Sequence, residues 1–323
     1  MSMRAWCISN STLHLETRPM PELGPSDVLV QVAAIGVNRA DLLQTRGLYP
    51  APQGTVQDIP GLEYSGTIVA VGAKTLHRKV GDKIMGLIPG GAYAEYLVTH
   101  EEEALTIPAG LSMAEAATIP EAFLTAYRAI YLQAGLTHGQ WCLIRPATSS
   151  VGLAAVQLCQ VFGNPTIGSS RNKMRLDTAQ ALGLQHLVTE DDSLSQQLLA
   201  LTDGQGVSVI FDMVGPDWSS LLPGLRREGH LVVIGILGGN STTINLMPFL
   251  QNRQHISALT MRSQPLAERL RMANFFNERL LTYFEADKLH ALPLQEFTFS
   301  ETPLAHQHMQ DNDFSGKRVI TLS

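Results

Sequence analysis

The sequence predicts an α/β protein in which a doubly wound parallel-sheet domain is joined to a β-rich domain. The first third of the chain carries short β-rich runs separated by Gly and Pro turns, which is typical of a twisted, barrel-like β domain. The middle alternates apolar strand-like runs with helical spacing, which is typical of a parallel sheet. At 323 residues the chain is too long for one small core. We therefore expect two domains.

Composition narrows the class of protein. The net charge is -6 and the sequence pI is about 5.9, so nothing indicates binding to nucleic acid or to an acidic membrane surface. No apolar run is long enough to span a bilayer, and the first residues have neither a signal-peptide nor a transit-peptide pattern. Three widely spaced cysteines form no disulfide framework, which indicates a reducing compartment. We expect a cytoplasmic enzyme.

The expected elements follow the chain in order. In the β domain, strands are predicted over 28–34, 65–71, 83–86 and 91–98, before a helical pattern over 112–132. In the α/β domain, strands at 141–144, 166–168, 208–213 and 230–234 alternate with helices. A long helical stretch over 266–285 and a closing strand over 317–322 complete the chain. We expect His306 and His308 on a solvated helix face.

One segment is typical of a pyrophosphate-binding turn. The strand at 141–144 is followed by the small residues 147–152 and then by helical spacing. The N-terminus of a helix carries free N–H groups and partial positive charge, so an anion binds there readily. Such turns usually carry three glycines, whereas Ser149 and Ser150 stand here and only Gly152 remains. An ordinary strand–loop–helix unit without a ligand is the alternative.

The residues after the second strand of this unit indicate a choice between coenzymes. An NAD site normally has Asp or Glu there to accept hydrogen bonds from the ribose hydroxyls. This chain instead has Ser170, Arg171 and Lys173, and its first acid is Asp177. Arginine and lysine suit a 2′-phosphate. The segment therefore favours NADPH over NADH, with a solvated helix start carrying incidental cations as the alternative.

Several further blocks carry a family resemblance. In chain order they are Gly-Val-Asn-Arg-Ala-Asp at 36–41, Arg-Gly-Leu-Tyr-Pro at 46–50, Pro-Gly-Leu-Glu-Tyr-Ser-Gly at 60–66, Gly-Gly-Ala-Tyr-Ala-Glu-Tyr at 90–96 and Ile-Pro-Glu-Ala-Phe-Leu-Thr-Ala at 119–126. With them the whole chain resembles the medium-chain dehydrogenases/reductases, and among these the zinc-free, zeta-crystallin-like NADPH quinone oxidoreductases, especially the tumour-suppressor-inducible branch. The resemblance implies a GroES-like β-barrel-type substrate and catalytic domain of residues 1–122 and 265–323, and a Rossmann NADPH-binding domain of residues 123–264.

The resemblance also bears on metal binding. Zinc-dependent members of the superfamily take ligands from a Cys and from a Gly-His-Glu block. Here those positions hold Asn38 and Gly61-Leu62-Glu63. Leucine cannot coordinate zinc and an amide is a poor ligand for it, so no metal is expected.

The resemblance implies roles for individual residues, each with a plainer structural alternative. Asn38 and Tyr49 would be the catalytic residues beside the nicotinamide and the acceptor, with a turn amide and a packing aromatic as alternatives. Asp41 is expected mainly to cap the following helix. The implied cofactor-binding residues are Thr125, Thr148, Ser149, Ser150, Val151, Ser170, Arg171, Lys173, Val214, Gly235, Ile236, Phe314 and Lys317.

The reaction implied is hydride transfer from NADPH to a quinone without zinc. An enone or enoyl thioester is the alternative acceptor, for which Tyr49 would donate a proton. A non-catalytic NADPH-binding redox sensor is a third hypothesis, favoured by the serines in the turn. Residues 242–261 resemble the region through which family members form dimers, so we expect a homodimer.

Overall fold

The computed structural model describes residues 1–170 and 176–322. Its strands are β1 (Ser2–Ser9), β2 (Thr12–Pro19), β3 (Asp27–Gly36), β4 (Glu63–Val71), β5 (Lys83–Leu87), β6 (Tyr96–His100), β7 (Leu105–Thr106), β8 (Cys142–Arg145), β9 (Thr166–Ser169), β10 (His186–Val188), β11 (Val207–Asp212), β12 (Leu225–Val233), β13 (His255–Ala258), β14 (Leu294–Thr298) and β15 (Lys317–Thr321). Its α-helices are α1 (Arg39–Thr45), α2 (Met113–Ala116), α3 (Pro120–Tyr127), α4 (Ser150–Val161), α5 (Leu176–Ala181), α6 (Leu194–Leu201), α7 (Trp218–Leu221), α8 (Leu246–Gln251), α9 (Leu266–Phe275), α10 (Leu281–Glu285) and α11 (Thr302–Asp311).

The contacts divide the chain into two compact units. Unit 1 comprises Met1–Glu121 and Met261–Ser323, and unit 2 comprises Ala122–Thr260. No helix in the part of the chain that the structure describes is both long enough and apolar enough to cross a membrane.

Unit 1 is built on a mainly antiparallel sheet with the strand order β14-β15-β3-β4-β5-β7, and β6 also pairs with β3. The long strand β3 alternates buried and more exposed residues along much of its length, as a half-buried strand does. Its inward side chains join a core with residues of β4 and β5, including Val30, Ile35, Ile68 and Ile84. The predicted β-rich domain is therefore present. The predicted strand at 91–98 lies later, at Tyr96–His100.

Unit 2 is built on a parallel sheet with the strand order β10-β9-β8-β11-β12-β13. The short strands β8, β9 and β11 are buried along their whole length, as strands of a parallel sheet covered on both faces are. The order reverses between β8 and β11, and such switch points are where open parallel sheets bind ligands, beyond the carboxyl ends of the strands. The predicted doubly wound sheet is confirmed.

Candidate active site

The first part of the site in unit 1 is the turn between β3 and α1. Asn38 precedes the helix, and its backbone N–H donates to Asp41 Oδ2 at 2.8 Å. A carboxylate in the first turn satisfies a free N–H and complements the helix dipole. Asp41 therefore caps α1, as its position predicts.

A buried cation holds the side chain of Asn38. Lys317 Nζ lies 2.6 Å from Asn38 Oδ1 and 2.5 Å from Glu63 Oε2. The Asn38 amide also donates to Glu63 Oε2 at 3.2 Å and to the Gly36 carbonyl at 3.1 Å. The side chains of Lys317 and Glu63 are both 0% exposed. The implied cofactor contact of Lys317 is therefore corrected, because its ammonium is sealed inside unit 1 and bound by Glu63.

The backbone beside this ion pair leaves no room for a side chain. A Cβ on Gly36 would lie 2.3 Å from Glu63 Oε2 and 2.3 Å from the Ala117 carbonyl oxygen. Glu63 Oε1 also accepts the backbone N–H of Glu121 at 2.8 Å. Glycine at position 36 therefore lets β3 approach the Glu63 carboxylate closely enough for Asn38 and Lys317 to reach it.

A second buried polar chain runs from Asp41 to α11. The Tyr93 hydroxyl donates to Asp41 Oδ2 at 3.0 Å and lies 3.0 Å from His306 Nε2. Burial raises the pKa of Asp41 from 3.8 to about 7, against the opposing effects of its hydrogen bonds and of Lys317. Burial lowers the pKa of His306 to about 4. The expected solvated position of His306 is wrong, because its ring packs against Tyr93 and is only 6% exposed.

Tyr49 is fixed by an arginine that lies far along the chain. The guanidinium carbon of Arg262 lies 5.3 Å from the centroid of the Tyr49 ring, and Nη1 donates to the Tyr49 carbonyl at 2.7 Å. Arg262 also donates to the Pro89 carbonyl at 2.6 Å and to Gln44 Oε1 at 2.7 Å. The loop that carries Tyr49 is therefore held at both its backbone and its ring.

In unit 2, the turn after β8 has the geometry of an anion-binding helix start. Ser149 is the N-cap of α4, and its Oγ accepts the Gly152 N–H at 3.0 Å. A Cβ on Gly152 would lie 2.3 Å from the Pro146 carbonyl oxygen, so only glycine lets the helix pack this closely. Ser149 therefore stabilises the turn that the glycine fingerprint predicts, and Thr148, Ser150 and Val151 lie in the same turn.

The other predicted cofactor residues of unit 2 gather at the same end of the sheet. Ser170 follows β9, Val214 follows β11, and Gly235 and Ile236 follow β12. Thr125 lies buried in α3, and Phe314, in unit 1, lies beside Arg318, whose guanidinium carbon is 6.0 Å from its ring centroid. Arg171 and Lys173 lie outside the described residues.

The sequence reasoning did not identify the ionisable residues that pair across the strands. The sequence patterns place Glu63 only in the family block at 60–66, which includes a zinc-ligand position, and they single out neither Arg145 nor Glu190. A signal was present for Arg145, since an arginine at the end of a buried apolar strand requires an acidic partner. Arg145 pairs with Glu190 at 3.0 Å and with Asp212 at 3.3 Å.

The residues of unit 2 fit a nicotinamide coenzyme. The close approach at Gly152 and the start of the twelve-residue helix α4 suit a pyrophosphate. The carboxyl ends of the parallel strands, where such sheets bind dinucleotides, are followed by the turn at 148–151 and by Ser170, Val214, Gly235 and Ile236. Among residues 1–170 and 176–322, no group of three or more His, Cys, Asp or Glu side chains is arranged to hold a metal ion.

Two family models match the chain. The alcohol dehydrogenase GroES-like domain matches residues 24–109, and the zinc-binding dehydrogenase family matches residues 150–277. The two matches confirm the predicted fold class of a GroES-like domain and a Rossmann-like domain.

Known proteins of two activities are similar to this chain. A quinone oxidoreductase-like protein 2 homolog from Nematostella vectensis is 34% identical over 67% of this chain, which spans only 60% of that protein. A quinone oxidoreductase from Pseudomonas syringae pv. Tomato DC3000 is 25% identical with a TM-score of 0.88, and the match covers 99% of both chains. The CurK enoyl reductase is 26% identical with a TM-score of 0.86, again over 99% of both chains.

Proposed function

This chain belongs to the medium-chain dehydrogenases/reductases and is of quinone oxidoreductase type, and we propose that it is an NADPH-dependent quinone reductase. We propose further that it works without zinc. One observation carries the proposal. At the positions of the zinc ligands the chain has Asn38 and Leu62, and the adjacent Glu63 is bound to the Lys317 ammonium. Leucine offers no ligand atom, and the carboxylate is already neutralised. An electron-poor acceptor that needs no Lewis acid suits such a site.

The coenzyme would lie at the carboxyl ends of the unit 2 strands and would supply the hydride. The turn of Thr148, Ser149, Ser150 and Val151 would hold its pyrophosphate. Ser170, Arg171 and Lys173 would bind the 2′-phosphate. Val214, Gly235 and Ile236 would line the rest of the dinucleotide, Thr125 would lie beside the nicotinamide amide, and Phe314 would contact the coenzyme.

Tyr49 and Asn38 would face the reacting groups. The Arg262 guanidinium fixes the Tyr49 ring, which suits it to stack against a planar quinone. Asn38 Oδ1 accepts one bond from Lys317 and keeps a second lone pair for a ribose or substrate hydroxyl.

A second candidate is an enone or enoyl-thioester reductase. It is favoured by the similarity to the CurK enoyl reductase and by the Tyr49 hydroxyl, which would donate the proton that this reaction requires. The two candidates differ in what they ask of Tyr49, since stacking needs the ring and proton donation needs the hydroxyl.

The test is a steady-state assay of chelator-treated protein with NADPH or NADH and either naphthoquinone, phenanthrenequinone or a crotonyl thioester. We expect quinone reduction with NADPH, retained by Tyr49→Phe and lost by Tyr49→Ala. Thioester reduction abolished by Tyr49→Phe would establish the alternative. Coenzyme binding that quenches Trp fluorescence, with no turnover of any acceptor, would indicate the non-catalytic sensor. Arg171→Ala with Lys173→Ala should raise the KM for NADPH and leave that for NADH unchanged.

We also propose that the protein is a cytoplasmic homodimer. All three cysteines are free and buried, which fits a reducing compartment. In α8, Leu246, Met247 and Leu250 are 65%, 60% and 72% exposed, and the neighbouring β13 is the last strand of its sheet. Such an apolar surface next to a sheet edge suits pairing with a second copy.

Light scattering at micromolar concentration tests the dimer. We expect the wild-type chain to be dimeric and Leu246→Asp with Leu250→Asp to be monomeric. Leu76→Asp, at a side chain 82% exposed in unit 1, is the matched control and should stay dimeric. A monomeric wild-type protein would refute the proposal.

A further inference from the structure

An ion-pair cluster lies at the carboxyl ends of three strands of unit 2, the central β8 and β11 and the edge strand β10. Arg145 ends β8, Asp212 ends β11, and Glu190 follows β10. Arg145 Nε donates to Glu190 Oε1 and Nη2 to Glu190 Oε2, both at 3.0 Å. Two parallel N–H···O bonds between a guanidinium and a carboxylate form a strong and directional pair. The side chains of Arg145 and Glu190 are 4% and 12% exposed.

Asp212 depends little on this arginine. Arg145 Nη1 lies 3.3 Å from Asp212 Oδ1, which is longer than either bond to Glu190. Asp212 also accepts hydrogen bonds from the turn that follows it, namely from Val214 N at 2.9 Å, Gly215 N at 3.2 Å and Trp218 Nε1 at 2.9 Å. The principal partner of Arg145 is therefore Glu190.

Glu190 lies beside the end of β9. Ser169, the last residue of that strand, donates its hydroxyl to Glu190 Oε1 at 2.6 Å. The next residue, Ser170, stands where NAD-binding sheets usually carry the acid that binds the ribose hydroxyls. An acid is thus present near the end of β9. It is Glu190, which follows the neighbouring strand β10 and whose charge is balanced by Arg145.

We propose that the Arg145–Glu190 pair determines whether the end of β9 accepts the free ribose hydroxyls of NAD or the 2′-phosphate of NADP. Held by Arg145, Glu190 presents little net charge, and a 2′-phosphate can approach Ser170. Released from Arg145, the Glu190 carboxylate accepts hydrogen bonds from ribose hydroxyls and repels a phosphate. Arg145 is accordingly a specificity-determining residue that acts through Glu190. The inference rests on the proposed function only for the class of coenzyme.

Binding of the oxidised coenzymes tests the pair without turnover. Isothermal titration calorimetry on the full chain compares the affinity for NADP⁺ with that for NAD⁺. Arg145→Met should lower the ratio of these affinities at least tenfold, since it frees the carboxylate. Glu190→Gln should raise the ratio at least threefold, since it removes the carboxylate charge next to Ser169 and Ser170 while Arg145 keeps Asp212. The double variant should return the ratio to within threefold of wild type.

A matched control is available in the same unit. Arg253 and Glu228 form an ion pair with side chains 52% and 59% exposed, and neither follows one of the central strands. Arg253→Met and Glu228→Gln should leave the ratio unchanged. Equal loss of both coenzymes in Arg145→Met, or a double variant that keeps the altered ratio, would overturn the proposal.

The remaining outcomes also decide the question. If Arg145→Met does not fold, Glu190→Gln is decisive, because an unchanged ratio in that variant refutes the role of the pair. If the wild-type chain binds both coenzymes and the variants leave the ratio unchanged, only this inference fails. If the wild-type chain binds neither coenzyme, the proposed function fails and the inference fails with it.

Discussion

The two units each bury one cation against a glutamate, in contrasting surroundings. In unit 1, Lys317 and Glu63 are both 0% exposed, and the ammonium also binds the Asn38 amide. In unit 2, Arg145 donates two hydrogen bonds to Glu190, which follows β10 and whose side chain remains 12% exposed. Lysine is a compact point charge, whereas arginine is a planar fork matched to a carboxylate. The sealed pair fixes the backbone that enters α1, and the pair at the sheet edge can respond to a ligand.

The largest expected effect is the difference in the free energy of unfolding between Lys317→Met and Arg145→Met. Lys317→Met leaves the Glu63 carboxylate buried without a cation, so we expect unfolding to become easier by about 3–5 kcal/mol. Arg145→Met should cost about 1–3 kcal/mol, because Glu190 can reach water and Asp212 keeps its other donors. Urea denaturation measures both values.

Two further variants check the assignment. Lys288→Met, at an exposed lysine of unit 1, should change stability by less than about 0.5 kcal/mol. Adding Glu63→Gln to Lys317→Met should recover part of the loss, because the uncompensated charge is then gone. Equal losses from Lys317→Met and Arg145→Met would remove the distinction between the sealed pair and the edge pair.

The pH dependence of stability should distinguish the second buried cluster of unit 1. The pKa of Asp41 is raised to about 7 in the folded chain, so its contribution is full below about pH 4 and is lost as the pH rises to 7. The pKa of His306 is lowered to about 4, so its contribution is present above about pH 6.5 and is lost as the pH falls to 4. The two slopes oppose each other.

Removing one of the two titrating groups should therefore reveal the pH dependence of stability that the other group contributes. Asp41→Asn should leave a protein whose stability rises between pH 4 and pH 6.5, and His306→Gln one whose stability falls between pH 4 and pH 7. We expect changes of about 3–4 kcal/mol across the range, measured by urea denaturation at several pH values. A profile that neither variant alters would mean that these groups do not titrate with folding.

The smallest expected effect concerns the turn of unit 2. Ser149→Ala removes the N-cap of α4 and should cost about 1 kcal/mol, whereas Ser149→Gly should cost only a few tenths. Thermal or urea unfolding measures the difference. If Ser149→Ala is no worse than Ser149→Gly, the hydroxyl does not cap the helix.

Local sequence patterns predicted most of the fold because they are set by neighbours along the chain. The buried apolar run of β11 and the small residues before α4 are visible within a few positions. The stretch over 266–285 is helical as expected, through α9, a π-helical segment and α10. Domain boundaries and the roles of the site residues stay predictions.

The polar pairs of the site could not be predicted in the same way. Lys317 binds Asn38 across 279 positions, and Tyr93 meets His306 across 213. A histidine in an amphipathic helix next to polar neighbours has the pattern of a surface residue, but the Tyr93 hydroxyl gives its buried ring a hydrogen-bond partner. Such pairs depend on which strands become neighbours, which no local pattern encodes.

The three hydrogen bonds of Arg262 tie the orientation of Tyr49 to a residue 213 positions away. A fragment that ended before Met261 would still contain the tyrosine but would lose the cation that orients it. A chimera in which either segment is replaced by one that lacks Tyr49 or Arg262 would consequently lose this contact.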